Sequence, residues 1–430
     1  MTGRILPAVI LGLGLSRGVS GQAGNAAPPE AVRFGIQEYV RAVLANNPDL
    51  AAERENVAIA RAQVDVARIV PDPSLSIGSP QYDISNGAVQ NEVSAALSGT
   101  LELGGKRSAR VGLAQANALA AGSDLGNAVR QLRAAAANAY VDAVRARLVL
   151  DRKRQTLESL DRLVEANQAR LAAGDVAEVV LLQARVSAQQ FRGEVAAAEA
   201  SVQAADLALL ELLGRSSASS DGKPIALTSD LHLDVHAWDA DALIARALAE
   251  RPDLQAVTDR QLASDKQLAL IRADRAIDLS PSIGWTHVYS GNGAPPAPAG
   301  DFLVFGVGVP LPFSRLHKGD LEAARAGQEQ ARANTTASRV HVEIDVRQAI
   351  ARCEAAGRQV LVYESGTLAD ADRVFEKTLY SFQRGAATVV EVLIAQQTDD
   401  EVHIAYDDAL AERARALIAL QEAVGTSDWP

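Results

Sequence analysis

A chain of 430 residues with 48% hydrophobic and 22% charged residues is built to fold, which excludes a disordered or collagen-like polymer. The net charge of −11 excludes the electrostatics of a nucleic-acid binder, which needs surplus Lys and Arg to displace counterions, and one Cys excludes disulfide staples and Cys-rich metal or redox centres. Aromatics are only 4% and Ala supplies much of the apolar share, so the core must consist of many thin, Ala-lined contacts.

Arg4 precedes an apolar run from Ile5 to Leu15, and small or polar residues follow as far as Ala23. This is the layout of a cleaved export signal over 1–23. Its removal takes away Arg4 and Arg17 and no acid, moving the charge from −11 to −13. The run is too short to span a bilayer, and no Cys follows it to carry a lipid anchor. No later run approaches about 18 apolar residues, so any membrane span must be a β-barrel.

The rest of the chain reads as two copies of one plan. Asn47-Pro48-Asp49-Leu50 returns as Arg251-Pro252-Asp253-Leu254, and Pro73-Ser74-Leu75 is echoed by Pro281-Ser282-Ile283. The stretch 101–107 corresponds to 311–317, and Gly174 and Gly214 are matched by Gly385 and Gly425. The landmarks keep one order with an offset of 204 to 211 residues. The expected division is a first repeat over 24–214, an inter-repeat linker (the equatorial region) over 215–238, a second repeat over 239–425 and a tail over 426–430.

In chain order, each copy opens with one helix (36–69; 240–273) that carries Pro48 or Pro252 near its first turns. Two strands joined by a loop follow, at about 74–82 and 91–103 and again at about 282–290 and 302–313. Next comes a helix over 105–171 or 314–383, about 100 Å long at 1.5 Å per residue and beyond any globular core. A turn at Gly174 or Gly385 then sends a returning helix back to a stop at Gly214 or Gly425. Leu125, Val129, Leu132, Ala136, Ala139, Ala143, Ala146 and Leu150 form a heptad seam on the first long helix. Leu157, Leu160, Val164 and Leu171 continue it, and Val346, Ile350, Cys353, Gly357 and Val360 match it in the second copy. Ala on the flanks implies that each helix buries more than one stripe.

The strands alternate. Phe302, Val304, Gly306 and Gly308 share one face and Leu303, Phe305, Val307 and Val309 the other. Their lengths suit tilted membrane strands, but four cannot close a barrel, and an open edge cannot sit in lipid. Several copies of the chain would have to pool them.

The duplicated Pro-Asp-Leu helices, the strand exit Leu101-Glu102-Leu103-Gly104-Gly105-Lys106-Arg107, its counterpart from Val309 to Arg315 and the glycine turns together resemble the TolC-like outer-membrane efflux factors. Within these the likeness is to the CzcC-type heavy-metal branch. The resemblance implies a mainly α fold with a small β part. Duplicated helical hairpins would form a periplasmic coiled-coil α-barrel, and four strands from each chain of a homotrimer a twelve-stranded barrel in outer-membrane lipid. It implies a passive exit duct for heavy-metal cations, with a periplasmic adaptor and an inner-membrane RND-type pump as partners, and no catalytic residue or cofactor. A multidrug or type I secretion channel, or a periplasmic coiled-coil adaptor or scaffold without a pore, are the alternatives. The resemblance also carries an acidic periplasmic gate to Glu391, whose three symmetry copies would raise one another's pKa, while the second acidic position of the family falls on Ile394. The plain alternative for Glu391 is a solvated helix charge. Arg170, Gly174, Asp175, Arg384 and Gly385 at the hairpin tips would face the adaptor.

Three other features compete for a role. His232, Asp234 and His236 share one face of an extended segment whose plain reading is a polar strand face in the inter-repeat linker; two imidazoles and a carboxylate holding a divalent metal is the lesser alternative. His287, His317, His341 and His403 show no ligand spacing. Gly104-Gly105-Lys106 lacks the glycine spacing and following Ser or Thr of a phosphate loop, and Lys106 and Arg107 are expected just below the barrel at the polar interface.

Overall fold

The computed structural model describes residues 33–426 apart from 80, 83–88, 91, 217–225, 228–230, 232–237, 290–298 and 312–317. The export signal, the His232–Asp234–His236 face and the tail beyond Thr426 lie outside the described residues. Each copy does not open with a single helix. It opens with two, α1 (Ile36–Asn46) and α2 (Pro48–Arg68), then α5 (Ala240–Glu250) and α6 (Pro252–Ala273). The break has a local cause. A proline ring clashes with a helical residue before it, so Asn47 and Arg251 become extended (φ −64°, ψ 125°; φ −65°, ψ 121°) and each proline starts a fresh helix.

The long helix of the first copy, α3 (Lys106–Ala172), runs unbroken and is followed by α4 (Glu178–Leu212). Its second-copy counterpart is interrupted: α7 (Lys318–Val362) passes through a π turn (Tyr363–Thr367) into α8 (Leu368–Gln383), and α9 (Val389–Val424) returns. Gly366, at φ +153°, takes a conformation closed to residues with a Cβ, and Ser365 and Thr367 donate to the Val362 carbonyl that the turn leaves open. Among the described residues, no helix is long and apolar enough to cross a membrane.

Eight strands are described: β1 (Arg33–Phe34), β2 (Ser74–Gly78), β3 (Gln81–Tyr82), β4 (Val89–Gln90), β5 (Glu92–Ser98), β6 (Ala226–Leu227), β7 (Ser280–Val288) and β8 (Gly300–Gly308). The expected 74–82 and 91–103 are therefore shorter or divided, and Leu101 retains only an isolated bridge to Leu279. The main sheet is antiparallel in the order β2-β5-β7-β8, so the two hairpins join through β5 and β7 while β2 and β8 are free edges.

Helix packing follows the seam. Ala136, Ala143, Ala146, Leu150 and Leu160 are buried on α3, as are Val346, Ile350, Cys353, Gly357 and Val360 on α7. Midway along α3, Ala134, Ala137, Tyr140, Val141 and Val144 are buried as well, because α3 touches α1, α2, α4, α6 and α9. Tyr39 and Tyr140 lie at the centre of this region with ring centroids 6.0 Å apart, donating to the carbonyls of Leu209 and Phe34.

The landmarks seen twice in the sequence meet in space. Gly214 (φ +67°) ends α4 against Pro48, where a Cβ would lie 2.8 Å from the proline Cδ. Asn47, freed by the break, donates to the Leu212 carbonyl and accepts from the Leu50 amide. In the second copy Arg251 packs on Gly425 and donates to the Ala423 carbonyl. One helix break thus caps the returning helix of its own copy.

Candidate functional site

Three places can serve a conduit: the sheet, the strand-to-helix junction and the hairpin tips. In the sheet the register sorts side chains by face. Leu75, Leu97, Ile283 and Phe305 form one cross-strand row and Ile77, Ala95, Trp285 and Leu303 the next, all on the same side. Ile77 and Phe305 are each 74% exposed. The opposite side carries Ser74, Ser98, Ser282 and Gly306, then Ser76, Ala96, Gly284 and Val304. One face is bare and lined by large apolar side chains, the other mainly by Ser, Gly and Ala with Val304 and Phe302 on β8; the contrast is the one a membrane barrel makes between lipid and lumen. At the far end of the apolar face Asp301 accepts from Trp285 Nε1 (3.1 Å) and pairs with His287 Nδ1 (2.8 Å), with Tyr289 edge-on to the His287 ring.

At the junction, Gly104 and Gly105 have φ of +70° and +76°, and a Cβ on Gly104 would lie 2.2 Å from that of Ala276. This explains the double glycine: a two-residue left-handed turn, packed against Ala276, starts α3. Lys106 is nearly buried and spends its charge on Asp278 (2.7 Å), whose other oxygen accepts from the Leu103 amide. Arg107 donates to the Arg68 carbonyl, and Arg110 binds Glu102 with two nitrogens and the Ala67 and Ile69 carbonyls besides. These cations fasten the end of α2 and the segment leading into β7 to α3.

Both tips are built alike. Gly174 (φ +82°) donates to the Leu171 carbonyl and Asp175 to that of Arg170; Gly385 (φ +75°) donates to Phe382 and Ala386 to Ser381. A Cβ at either glycine meets nothing within 4 Å, so both face open space. Arg170 stacks over the Phe382 ring at 5.1 Å and Arg384 over Tyr380 at 4.9 Å. Arg170 thereby ties the first tip to the second, above a shared core of Leu163, Ala184, Phe382, Val389 and Val392.

Glu391 is the third residue of α9 and closes a capping box. Its Oε2 accepts from the Thr388 amide (2.6 Å) and hydroxyl (2.9 Å), and its own amide donates to Thr388 Oγ1 (3.3 Å). The amide hydrogen bond from Thr388, then its hydroxyl, hold the carboxyl below its ordinary range. The chain alone therefore keeps Glu391 ionised. Ile394 and Val390, one turn apart, are exposed beside it.

The structure corrects the reading of His403. Its Nε2 lies 2.9 Å from Asp372 Oδ1 on α8 and 3.8 Å from Asp399 Oδ1 one turn earlier on α9. Among the described residues this is a group of three potential ligand atoms within 4.8 Å of one another. The signal in the sequence was the spacing of four between Asp399 and His403; Asp372, 31 positions away, could be supplied only by the hairpin.

A family model described as outer membrane efflux protein matches residues 39–215 and 243–426. The cobalt-zinc-cadmium resistance protein CzcC of Cupriavidus metallidurans is 25% identical over 388 residues, spanning 88% of this chain and 87% of that protein. Among solved structures, CusC superposes with a TM-score of 0.75 at 21% identity, covering 91% of this chain and 92% of its own. The outer membrane protein VceC of Vibrio cholerae gives 0.73 at 19% identity, covering 91% and 96%. These two structures share the fold.

Proposed function

The chain belongs to the outer membrane efflux protein family, and from that membership we propose that it is the exit duct of a tripartite system expelling heavy-metal cations. The family consists of outer-membrane channels whose helices stand in the periplasm, so the chain is a duct and not an enzyme. In our reading three copies join, pooling their four-stranded sheets into one barrel and their hairpins into a helical tube. The observation that carries this is the sheet, with two open edges, one face of large bare apolar side chains and one lined mainly by Ser, Gly and Ala. Such edges have to be paired in lipid, and neighbouring copies supply the pairing. Exposed Val179, Leu182 and Val186 on α4, and Val390 and Ile394 on α9, supply helix stripes for the same contact.

On this reading 1–23 is the export signal, and 24–214 and 239–425 are the repeats joined through 215–238, with 426–430 as tail. A ring of Glu391 forms the cation-attracting constriction at the periplasmic mouth. Arg170, Gly174, Asp175, Arg384 and Gly385 meet a periplasmic adaptor, which connects to an inner-membrane pump of the RND type. Heavy-metal cargo rests on the likeness to the cobalt-zinc-cadmium resistance protein.

Two measurements test the proposal. Purified protein should insert into planar bilayers as cation-selective channels and run as a heat-sensitive trimer; a soluble monomer without conductance removes the duct. Deletion of the gene should lower tolerance to cobalt, zinc or cadmium. Unaltered metal tolerance with lost tolerance to organic toxins transfers the cargo to small organic molecules.

A further inference from the structure

We propose that Asp372, Asp399 and His403 form a binding site for one divalent transition-metal cation, a clip joining α8 to α9 behind the second hairpin turn. Asp399 and His403 are four residues apart on α9 and so share a face, while Asp372 reaches them from antiparallel α8. Two ligands about 2.1 Å from a tetrahedral metal lie about 3.4 Å apart. The observed separations from His403 Nε2, 2.9 and 3.8 Å, bracket that value, so small side-chain rotations complete the set.

A second observation points to a missing partner. Asp399 is 4% exposed, and its Oδ1 receives no hydrogen bond, although Oδ2 is held by Arg152. A buried carboxylate oxygen without a donor is unfavourable, and this one is directed at the space between His403 and Asp372. His403 at 3.8 Å is too far to donate to it, whereas a cation between them would bind all three.

Charge gives the third argument. Asp400, buried beside Asp399, takes the Thr156 hydroxyl and shares Arg152. Asp399 and Asp400 thus share the Arg152 guanidinium, and Asp372 adds a further carboxylate beside His403. A dication offsets that gathering of acids. One imidazole nitrogen and two carboxylate oxygens favour borderline ions such as Zn2+ and Co2+, and the half-exposed Asp372 leaves room for water in the remaining positions.

The clip does not depend on what the duct carries, since binding is read on the isolated protein. The mature, untagged protein is purified in detergent, stripped with chelator and titrated with Zn2+ or Co2+ alone. We expect about one equivalent per chain and a visible Co2+ absorption band. His403→Ala and Asp372→Asn should each weaken binding by about tenfold or more. The double variant H232A/H236A should leave binding unchanged. Asp372 is exposed, so its substitution tests the site even where His403→Ala perturbs folding, which circular dichroism reveals. Absence of binding to the wild type, or binding that survives D372N and H403A but not H232A/H236A, overturns the proposal.

Discussion

Glu391 performs two tasks that a single substitution confuses. Its carboxylate closes the capping box at the start of α9, and its charge, repeated by symmetry, lines the proposed constriction. Gln closes a capping box as well as Glu but carries no charge. Glu391→Gln should therefore lower cation selectivity in planar bilayers while leaving the thermal unfolding midpoint where it was. Glu391→Ala should lower both. If E391Q conducts with unchanged selectivity, the residue is a helix cap and nothing more. The residues alone read as a solvated helix charge, and the gate was readable only through a family resemblance; the capping box, although Thr388 precedes Glu391 by three positions, emerges only in the structure. The His403 cluster was half legible, its α9 pair lying at helical spacing and its α8 partner fixed only by tertiary packing.

Between elements, the break between α5 and α6 is held by a charge network centred on Arg251. This side chain is 6% exposed, binds Asp253 through two nitrogens at 3.0 and 2.6 Å, and reaches Asp345 at 3.1 Å. It joins the α5–α6 break to α7 and, through the Ala423 carbonyl, to α9. Arg251→Ala strands these acceptors and should destabilise the fold by about 3 kcal/mol in chemical denaturation. Burial pushes the Asp253 carboxyl up, but the Arg251 hydrogen bonds and charge outweigh it and carry it below its ordinary range. Its contribution is therefore present at neutral pH and lost as pH falls through the lowered value. Asp407 on α9, which burial holds above its ordinary range, acts with the opposite sign: its contribution grows in acid and fades as pH rises through the raised value. Hydrogen exchange should accordingly accelerate in α5 and α6 below about pH 4 while α8 and α9 stay protected. Equal acceleration in both regions contradicts this division. The heptad seams and all four glycine stops were readable because they are local periodicities. The breaks at Asn47 and Arg251 were signalled by the following prolines, but the helical pattern on either side masked them. Gly366 gave no signal, since an isolated glycine within a periodic run is compatible with an unbroken helix.

At the scale of the whole molecule, everything depends on which way the sheet faces. Ile77 and Ser76 are neighbours on β2 whose side chains leave opposite faces, one toward the proposed lipid and the other toward the proposed lumen. A charge at the first site must be taken into hydrocarbon, at about 2–4 kcal/mol near the bilayer midplane, whereas at the second it meets water. Ile77→Lys should reduce the amount of protein that fractionates as folded assembly with outer membranes. Ser76→Lys should assemble normally but show smaller conductance and weaker cation selectivity, because its ammonium narrows the pore and repels cations. A compact soluble sheet predicts neither asymmetry, because in water a lysine is tolerated on any bare face. Should I77K assemble as well as S76K, the apolar face does not contact lipid, and the hairpins would then have to bury it against a partner protein. The free edges of β2 and β8 strengthen the lipid assignment, since the proposed three-copy arrangement that would pair them would also turn every apolar face outward together.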